Sequence, residues 1–420
     1  MFYLGEHPVC VRTSYMCLGI ASVEHTAQMP PPAKVITAYS NELDSCFKYE
    51  LIAGGLINET WKCCRVPRDG GGQEWILQRI NQHVFTRPWD IARNIELAQQ
   101  AIAKASLQEK NTVKLLCPVP NAHGKLLTCT EEEEYWRLIP YARDSITIGV
   151  LSSPQQAREA AQQFGRLCRS LHNANIGDYA YPLKNFHDLE LYFELFREAV
   201  LRSAGGEEGD NEGIVEGLIR HEHLVDQFRK MRATLPLRIM HHDTKLSNVL
   251  FHEEQGEGGR GLCPIDLDTL MPGLVISDVG DMVRTYVCGV TEDEPDVEKI
   301  RAAMNSSSNS DGDGEASSDA YFRAIIEGYL SAAGSVLTEV ELDEDTLLFA
   351  GPFMIMMQAL RFATDWLKGN VYYQVSYREQ NLDRARNQIT LLILVLERKE
   401  QWRHIIRGVL REQGLGEKGR

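Results

Sequence analysis

An α+β chain of two lobes, a small antiparallel sheet followed by a larger helical part, is what the sequence predicts. Short apolar runs separated by glycine-bearing turns fill residues 41–140, whereas apolar residues recur at helical spacing through most of 141–420. A third feature lies inside the helical part. Ile239–Phe251 reads as strand, polar loop and strand, with His241-x-Asp243-x(4)-Asn248 in the loop, and Pro264-Ile265-Asp266-Leu267-Asp268 follows.

Taken in order, residues 1–40 are weakly patterned, contain Pro30-Pro31-Pro32 and read as an N-terminal extension. Phe47–Ile52 and Trp61–Cys64 read as strands joined by the turn Ala53–Thr60, and Trp75–Ile80 as a third strand after Asp69-Gly70-Gly71-Gly72. Pro88–Lys104 has Ile91, Ile95, Ala98 and Ile102 on one side of a helix. Leu115–Val119 and Lys125–Cys129 read as two more strands, and Tyr135–Tyr141 as a buried strand that ends the lobe near Pro140–Arg143.

Beyond that boundary, helices are predicted over Pro154–Asn173, Leu189–Ser203 and Val215–Met231. A glycine-rich turn at His252–Gly261 suits a hairpin, and a Ser/Asp/Gly-rich insert at 303–320 has the composition of disorder. Tyr321–Ala332, Glu341–Lys368 and Leu382–Leu410 complete the helical series.

Composition narrows the setting. A chain of 420 residues is long enough for two lobes, each with its own core. The net charge of −15, with no long Lys/Arg run, argues against a nucleic-acid partner. Ten cysteines without a CxxC pair read as reduced thiols. The apolar patch Tyr15–Ser22 is short and lacks a basic flank, so neither a signal peptide nor a membrane span is expected, and the expected location is cytoplasmic. Oligomeric state is not legible.

The chemistry resides in the loop. Phosphoryl transfer needs a carboxylate to accept a hydroxyl proton, and an amide oxygen with further carboxylate oxygens to hold Mg²⁺ against the phosphates. Asp243, Asn248, Asp266 and Asp268 supply those groups in chain order. ATP is expected against Gly54, Gly55, Asn58 and Thr60 of the first turn, Arg79 of the third strand, and Arg137 and Ile139 of the crossover strand. Arg79 is the cation in the third strand's interior, an Arg at the strand's solvent edge being the alternative, and Glu96 of the following helix is its candidate partner, with an exposed helix acid as the alternative there.

The motifs carry a resemblance. His241-His242-Asp243-Thr244-Lys245-x-Ser247-Asn248 with Ile265-Asp266-Leu267-Asp268 lacks the His-Arg-Asp and Asp-Phe-Gly of protein kinases and resembles the aminoglycoside phosphotransferase and choline kinase superfamily. Ile76–Asn81 with Val84-Phe85, Tyr135-Trp136-Arg137, Asp266–Gly273 and Leu360–Tyr372 are similar to N-acetylhexosamine 1-kinases, over about Phe47 to Val395. The resemblance implies a bilobal protein-kinase-like fold and ATP- and Mg²⁺-dependent phosphorylation of the anomeric hydroxyl of an N-acetylhexosamine or related sugar.

On that reading Asp243 is the base and Lys245 reaches the γ-phosphate or the substrate. Asn248 and Asp266 are the Mg²⁺ ligands, and Asp268, also on the metal side, either binds a second metal or stands behind the ligands. His241, Asp243, Arg361, Asp365 and Tyr372 form the sugar side, with His241 bracing the loop by hydrogen bonds. Arg361 and Asp365, four apart on one helix face, fit a structural ion pair equally well. Two alternatives stay open: a kinase for an amino-alcohol or aminoglycoside, and a non-catalytic kinase-like binding protein.

Overall fold

The computed structural model describes residues 33–39, 47–52, 57–65, 73–109, 111–203, 212–253, 259–305 and 317–415. The first lobe is a five-stranded antiparallel sheet in the order β1-β2-β3-β5-β4, built from β1 (Phe47–Leu51), β2 (Glu59–Arg65), β3 (Glu74–Arg79), β4 (Thr128–Cys129) and β5 (Tyr135–Pro140). Side chains alternate across it. Trp61, Cys63, Leu77, Trp136 and Leu138 share one face, where Val35 and Ile36 of α1 (Ala33–Thr37) complete an apolar cluster. Register puts Thr60 beside Gln78, and Gln78 beside Arg137, on the opposite face. That face looks into the cleft.

Helix α2 (Pro88–Ser106) starts with proline at its first position, where a missing N–H costs nothing. It buries Ile91, Ile95, Ala98 and Ile102 in a cluster shared with Leu167, Leu171, Leu267 and Leu270, so it bridges the lobes. Its wholly buried Asn94 donates to the carbonyl of Leu270 at 2.8 Å and to that of Ala180 at 2.9 Å.

The second lobe runs β6 (Ser145–Ile146), α3 (Pro154–Ser170), α4 (Leu189–Ser203), α5 (Glu212–Arg220), α6 (His223–Thr234), β7 (Arg238–Met240), β8 (Val249–His252), β9 (Gly261–Pro264) and β10 (Met271–Gly273). It continues with α7 (Val275–Tyr286), α8 (Val297–Asn305), α9 (Ser318–Ala333), α10 (Glu344–Leu367), α11 (Gln380–Glu397) and α12 (Lys399–Glu412). The hairpin β8–β9 and the pair β7–β10 bring the loops 241–248 and 265–270 side by side. Helix α10 is long and apolar enough to cross a membrane, yet 89% of its most apolar window is buried inside the lobe. It packs on α7 at a glycine: a Cβ on Gly280 would stand 2.2 Å from the Ala350 carbonyl oxygen.

The fold is therefore the bilobal α+β, kinase-like one expected, with differences of detail. Residues 115–119 form no strand, and of 125–129 only Thr128–Cys129 pair, because the two segments share the one edge of β5 that β3 leaves open: Thr128–Cys129 lie beside Tyr135 and Trp136, and Val119 N–H reaches the Leu138 carbonyl at 2.7 Å. The expected helix 215–231 breaks at His221-Glu222, and 382–410 breaks at Arg398. Helix α7 was not anticipated. Its apolar residues Val275, Ile276, Val279, Met282, Val283 and Tyr286 do recur at helical spacing, and what the sequence does not tell is that its polar side, with Asp278, Asp281 and Arg284, is buried as well. Gly54, Gly55, residues 1–32 of the extension and 306–316 of the insert lie outside the described residues. The flanks of the insert are helical, with 303–305 ending α8 and 318–320 beginning α9.

Candidate active site

One acid of α7 organises the 241–248 loop. The Asp278 carboxylate accepts the His241 N–H at 3.1 Å and the His242 N–H at 2.8 Å, and its carbonyl accepts the Thr244 hydroxyl at 2.7 Å. Burial pushes its pKa up to about 7, against those two N–H donors. From the far end of the helix, the Tyr286 hydroxyl donates to the Thr244 carbonyl at 2.8 Å.

His241 is wholly buried and braces the loop. Its Nδ1 accepts the Asp243 N–H at 3.3 Å, which leaves Nε2 protonated to donate to the Ile265 carbonyl at 2.9 Å. Burial lowers its pKa, so the ring is neutral. The bracing is as expected, but a side chain with no exposure does not meet a substrate, and its place on the sugar side is corrected. His242 has φ 67°, and its ring lies so close over Gly273 that a Cβ there would be 2.1 Å from Cε1. This contact accounts for glycine after Pro272.

The Asp243 carboxylate is half-buried and held on one side. Lys245 Nζ donates to Oδ2 at 2.8 Å and Asn248 Nδ2 at 2.9 Å, leaving Oδ1 free to meet an incoming hydroxyl. Burial works to raise its pKa, but Lys245 outweighs it and holds the group below the usual carboxylate range. Asn248 Nδ2 also donates to the Asp243 carbonyl at 2.9 Å, so its Oδ1 is the atom turned outward.

Asp266, in the left-handed region at φ 60°, opens into the cleft. Its crowded surroundings and the charges of Asp268 and Asp243 push its carboxyl up to about 7, the condition that a bound cation reverses. An amide oxygen and a carboxylate are the hard donors that suit Mg²⁺, which keeps water and phosphate oxygens for its other positions.

Asp268 does not belong to that set. It is 2% exposed, and both oxygens are engaged: Oδ1 by Arg137, Oδ2 by Asn58 Nδ2 at 2.6 Å. Gln78 holds Arg137 in place through Oε1, with Nε at 3.0 Å and Nη2 at 2.8 Å, and donates to the Thr60 hydroxyl at 3.0 Å. Asn58, Thr60 and Arg137, expected to touch nucleotide directly, thus converge with Gln78 on a clasp between the lobes.

Arg79 is corrected as well. It pairs with Glu59 and with Glu134 (2.6 Å), its side chain is 43% exposed, and Glu96 is exposed and not its partner. Alternation explains this, since Arg79 follows cleft-facing Gln78 and must turn the other way. The buried cation on the cleft face is Arg137, one strand over. Ile139, opposite Ile76, continues that face with apolar surface at the end of β5.

On the acceptor side, Asp365 is a structural residue. It is 4% exposed, and its carboxylate accepts the N–H groups of Val371 (3.0 Å), Tyr372 (2.8 Å) and Tyr373 (3.0 Å) and the Asn381 amide (2.9 Å). Neither the Arg361 ion pair nor a sugar contact is left to it. The turn it fixes delivers Tyr372 and Tyr373 to Arg361, whose guanidinium lies 5.5 Å from each ring and 4.9 Å from that of Phe186. Phe186 meets His242 edge-on at 6.4 Å, which connects this cluster to the loop bearing Asp243.

A sequence model of the phosphotransferase enzyme family matches residues 48–311. The chain belongs to that family. Solved structures similar to this phosphotransferase include an aminoglycoside phosphotransferase from Alicyclobacillus acidocaldarius, 13% identical with a TM-score of 0.53, covering 92% of this chain and 98% of that one. A microcompartment-associated aminopropanol kinase is 14% identical with a TM-score of 0.53 over 87% of this chain and 97% of that one. Choline kinase from Cryptosporidium parvum is 12% identical with a TM-score of 0.51 over 91% and 96%. At such identities the likeness is one of fold.

Sequence reasoning missed several residues of this phosphotransferase: Asp278 under the loop, Gln78 behind Arg137, and Phe186 beside Arg361. Asp278 had a usable signal, an acid three residues into an otherwise apolar helix start after Met271-Pro272-Gly273. Phe186 had none, because its loop meets Arg361 only through the fold.

Proposed function

We propose that the chain is an ATP- and Mg²⁺-dependent kinase for a hydroxyl group on a small neutral molecule, an N-acetylhexosamine or related sugar phosphorylated at its anomeric hydroxyl. One observation carries the reading: Asp243 has Oδ2 tied by Lys245 and Asn248 and Oδ1 open, next to Asp266 in the cleft. Asp243 accepts the hydroxyl proton while the acceptor oxygen bonds to the γ-phosphorus and the bond to the ADP oxygen breaks. Lys245, fully charged beside Asp243, places its ammonium toward the transferred phosphoryl group. Asn248 and Asp266 would hold the divalent cation, which when bound neutralises charge on the phosphate oxygens.

The acceptor's neutrality rests on Arg361. Names such as aminopropanol kinase and choline kinase bring amino-alcohols into consideration, and the aromatic rings of Phe186, Tyr192, Tyr372 and Tyr373 have the make-up of a cation cage. Here the chain's own guanidinium fills it. A hydroxylated neutral ligand takes hydrogen bonds from Arg361 and exposed Tyr372 without charge repulsion.

ADP release with Mg-ATP and a panel of N-acetylhexosamines, neutral hexoses, choline and aminopropanol tests this. Turnover on a sugar and none on the amino-alcohols is expected, and the reverse order overturns the acceptor class. Asp243→Asn is expected to lower kcat by about 10²–10⁴-fold. Undiminished turnover in that variant would refute its role as base.

A further inference from the structure

The turn Asn185–Asp188 carries two aromatic rings at the positions where turns usually show polar residues to solvent. Its closing bond runs from the Asp188 N–H to the Asn185 carbonyl at 3.2 Å, and Asn185 takes φ 56°, a left-handed value that asparagine tolerates. The central residues, Phe186 and His187, are half-buried and stack with 4.5 Å between ring centres. Phe186 already has its place beside Arg361. His187 has no part in the reading above.

The His187 ring lies against the loop that bears Asp243. Its Nδ1 is 3.3 Å from Nδ1 of His242, the two rings meet edge-on at 5.1 Å, and Phe353 of α10 stands 6.5 Å away on another side. A hydrogen bond between two like nitrogens needs one proton, so one ring donates and the other accepts. His242 decides which. Its Nε2 is sealed and closes no full hydrogen bond, while the carbonyls of Pro272 and Met271 act on the ring and favour a proton on that edge. Protonated at Nε2 and neutral, His242 has a bare Nδ1, which accepts the Nδ1–H of His187. The Nε2 of His187 is then a bare lone pair.

That nitrogen is open. Unlike Nε2 of His242 it is not sealed, and it has no hydrogen-bond partner among the described residues. Burial nonetheless holds the ring's pKa well below the usual histidine range, helped by His242 and by the charges of Arg361 and Arg284. A ring set so deep, open at one atom and flanked by the Asp243 loop and Arg361, opens onto the acceptor side of the active site.

The lone pair defines its ligand. Arg361 has donors only, so a hydroxylated ligand on this side also needs an acceptor. An ammonium would meet Arg361 and Arg284 as like charges, and an anionic group has no proton to give. A neutral hydroxyl satisfies the nitrogen.

We propose that His187 binds the acceptor sugar, its Nε2 taking a hydrogen bond from a ring hydroxyl other than the anomeric one and so fixing which hydroxyl is brought to Asp243. Resting on the sugar-kinase reading, the inference assigns a specificity-determining residue that lies outside the sequence motifs.

The test uses the full chain with N-acetylglucosamine and the monodeoxy analogues that each lack one of its non-anomeric hydroxyls. Binding is measured by calorimetry without nucleotide and turnover by ADP release with Mg-ATP. The wild type is expected to bind one analogue about tenfold more weakly than the parent sugar, the worth of one hydrogen bond. His187→Phe keeps the ring stack and lacks the lone pair. It is expected to bind the parent about tenfold more weakly, to bind that analogue no worse than the parent, and to leave the KM for ATP unchanged. His187→Gln, whose Oε1 reaches the place of Nε2, is expected to restore the discrimination. In nitrogen NMR of the wild type, which depends on no variant's folding, Nε2 of His187 is expected to shift with the parent sugar and not with that analogue. Equal shifts for the two sugars, or ratios between parent and analogues that His187→Phe leaves unchanged, would each overturn the role of His187. If those unchanged ratios accompany turnover of the sugars, the kinase reading stands. If the ratios change as expected in calorimetry but no sugar is phosphorylated, the role of His187 stands and the kinase reading fails; absence of binding by every sugar overturns both.

Discussion

His242 shows how far a residue's chemistry is set by its surroundings. Burial lowers its pKa to about 4, so the ring is neutral in the fold and charged in the unfolded chain between pH 4 and 6.5. The unfolded state then binds more protons, and stability falls as pH drops through that window, by roughly 3 kcal/mol at its lower end. Asp278 acts with the opposite sign, since a carboxyl raised to about 7 takes up a proton in the fold before it does in the unfolded chain. A substitution separates them. His242→Asn tolerates φ 67° and carries no titrating ring. Its loss of Tm from pH 7.5 to pH 5 is expected to be smaller than the wild type's; an equal loss would remove His242 from the account.

At the scale of elements, the turn after α10 depends on one carboxylate. Asp365 collects three backbone N–H groups and one amide, most of what holds residues 371–373 in shape. Asp365→Ala leaves the buried Asn381 amide and the part-buried turn N–H groups without their acceptor and is expected to cost about 1–3 kcal/mol in denaturant unfolding. Because Tyr372 and Tyr373 lose their station over Arg361, acceptor KM is expected to rise with little change in the KM for ATP. The α7–α10 crossing is an equally local dependence. Gly280→Ala places a methyl 2.2 Å from a carbonyl oxygen in the helix that carries Asp278, so both stability and kcat are expected to fall. Thermal unfolding with steady-state kinetics checks both variants.

Over the whole molecule, the Arg137–Asp268 pair is the polar joint between lobes, with Asn58 and Gln78 completing it. Removing one partner strands a buried charge. Arg137→Met is expected to cost about 3–5 kcal/mol, and the double variant Arg137→Met/Asp268→Leu to recover much of that loss. A double-mutant cycle by urea unfolding measures the coupling, and simple additivity would show that the two residues do not act as a pair. Since the same carboxylate stands two residues from Asp266, weakening the joint is also expected to raise the KM for Mg-ATP.

What the sequence determined by itself was the set of groups close along the chain. His241, Asp243, Lys245 and Asn248 lie in one short loop between two strands, and a loop that short must gather them whatever packs around it. The strand-rich first lobe and the helical second were legible for a similar reason, since periodicity is local. Facing was decided only by the tertiary structure. Alternation says that Gln78 and Arg79 point opposite ways, but which face is the cleft depends on what covers the other, here Val35 and Ile36 of α1. Asp266 and Asp268, two apart, would share a face on a strand. The left-handed backbone at Asp266 turns them apart, one toward the cleft and one toward Arg137. The identity of a carboxylate is written in the chain, whereas its role depends on which donors the fold brings to its oxygens, and for Asp268 and Asp365 those donors come from elsewhere in the structure.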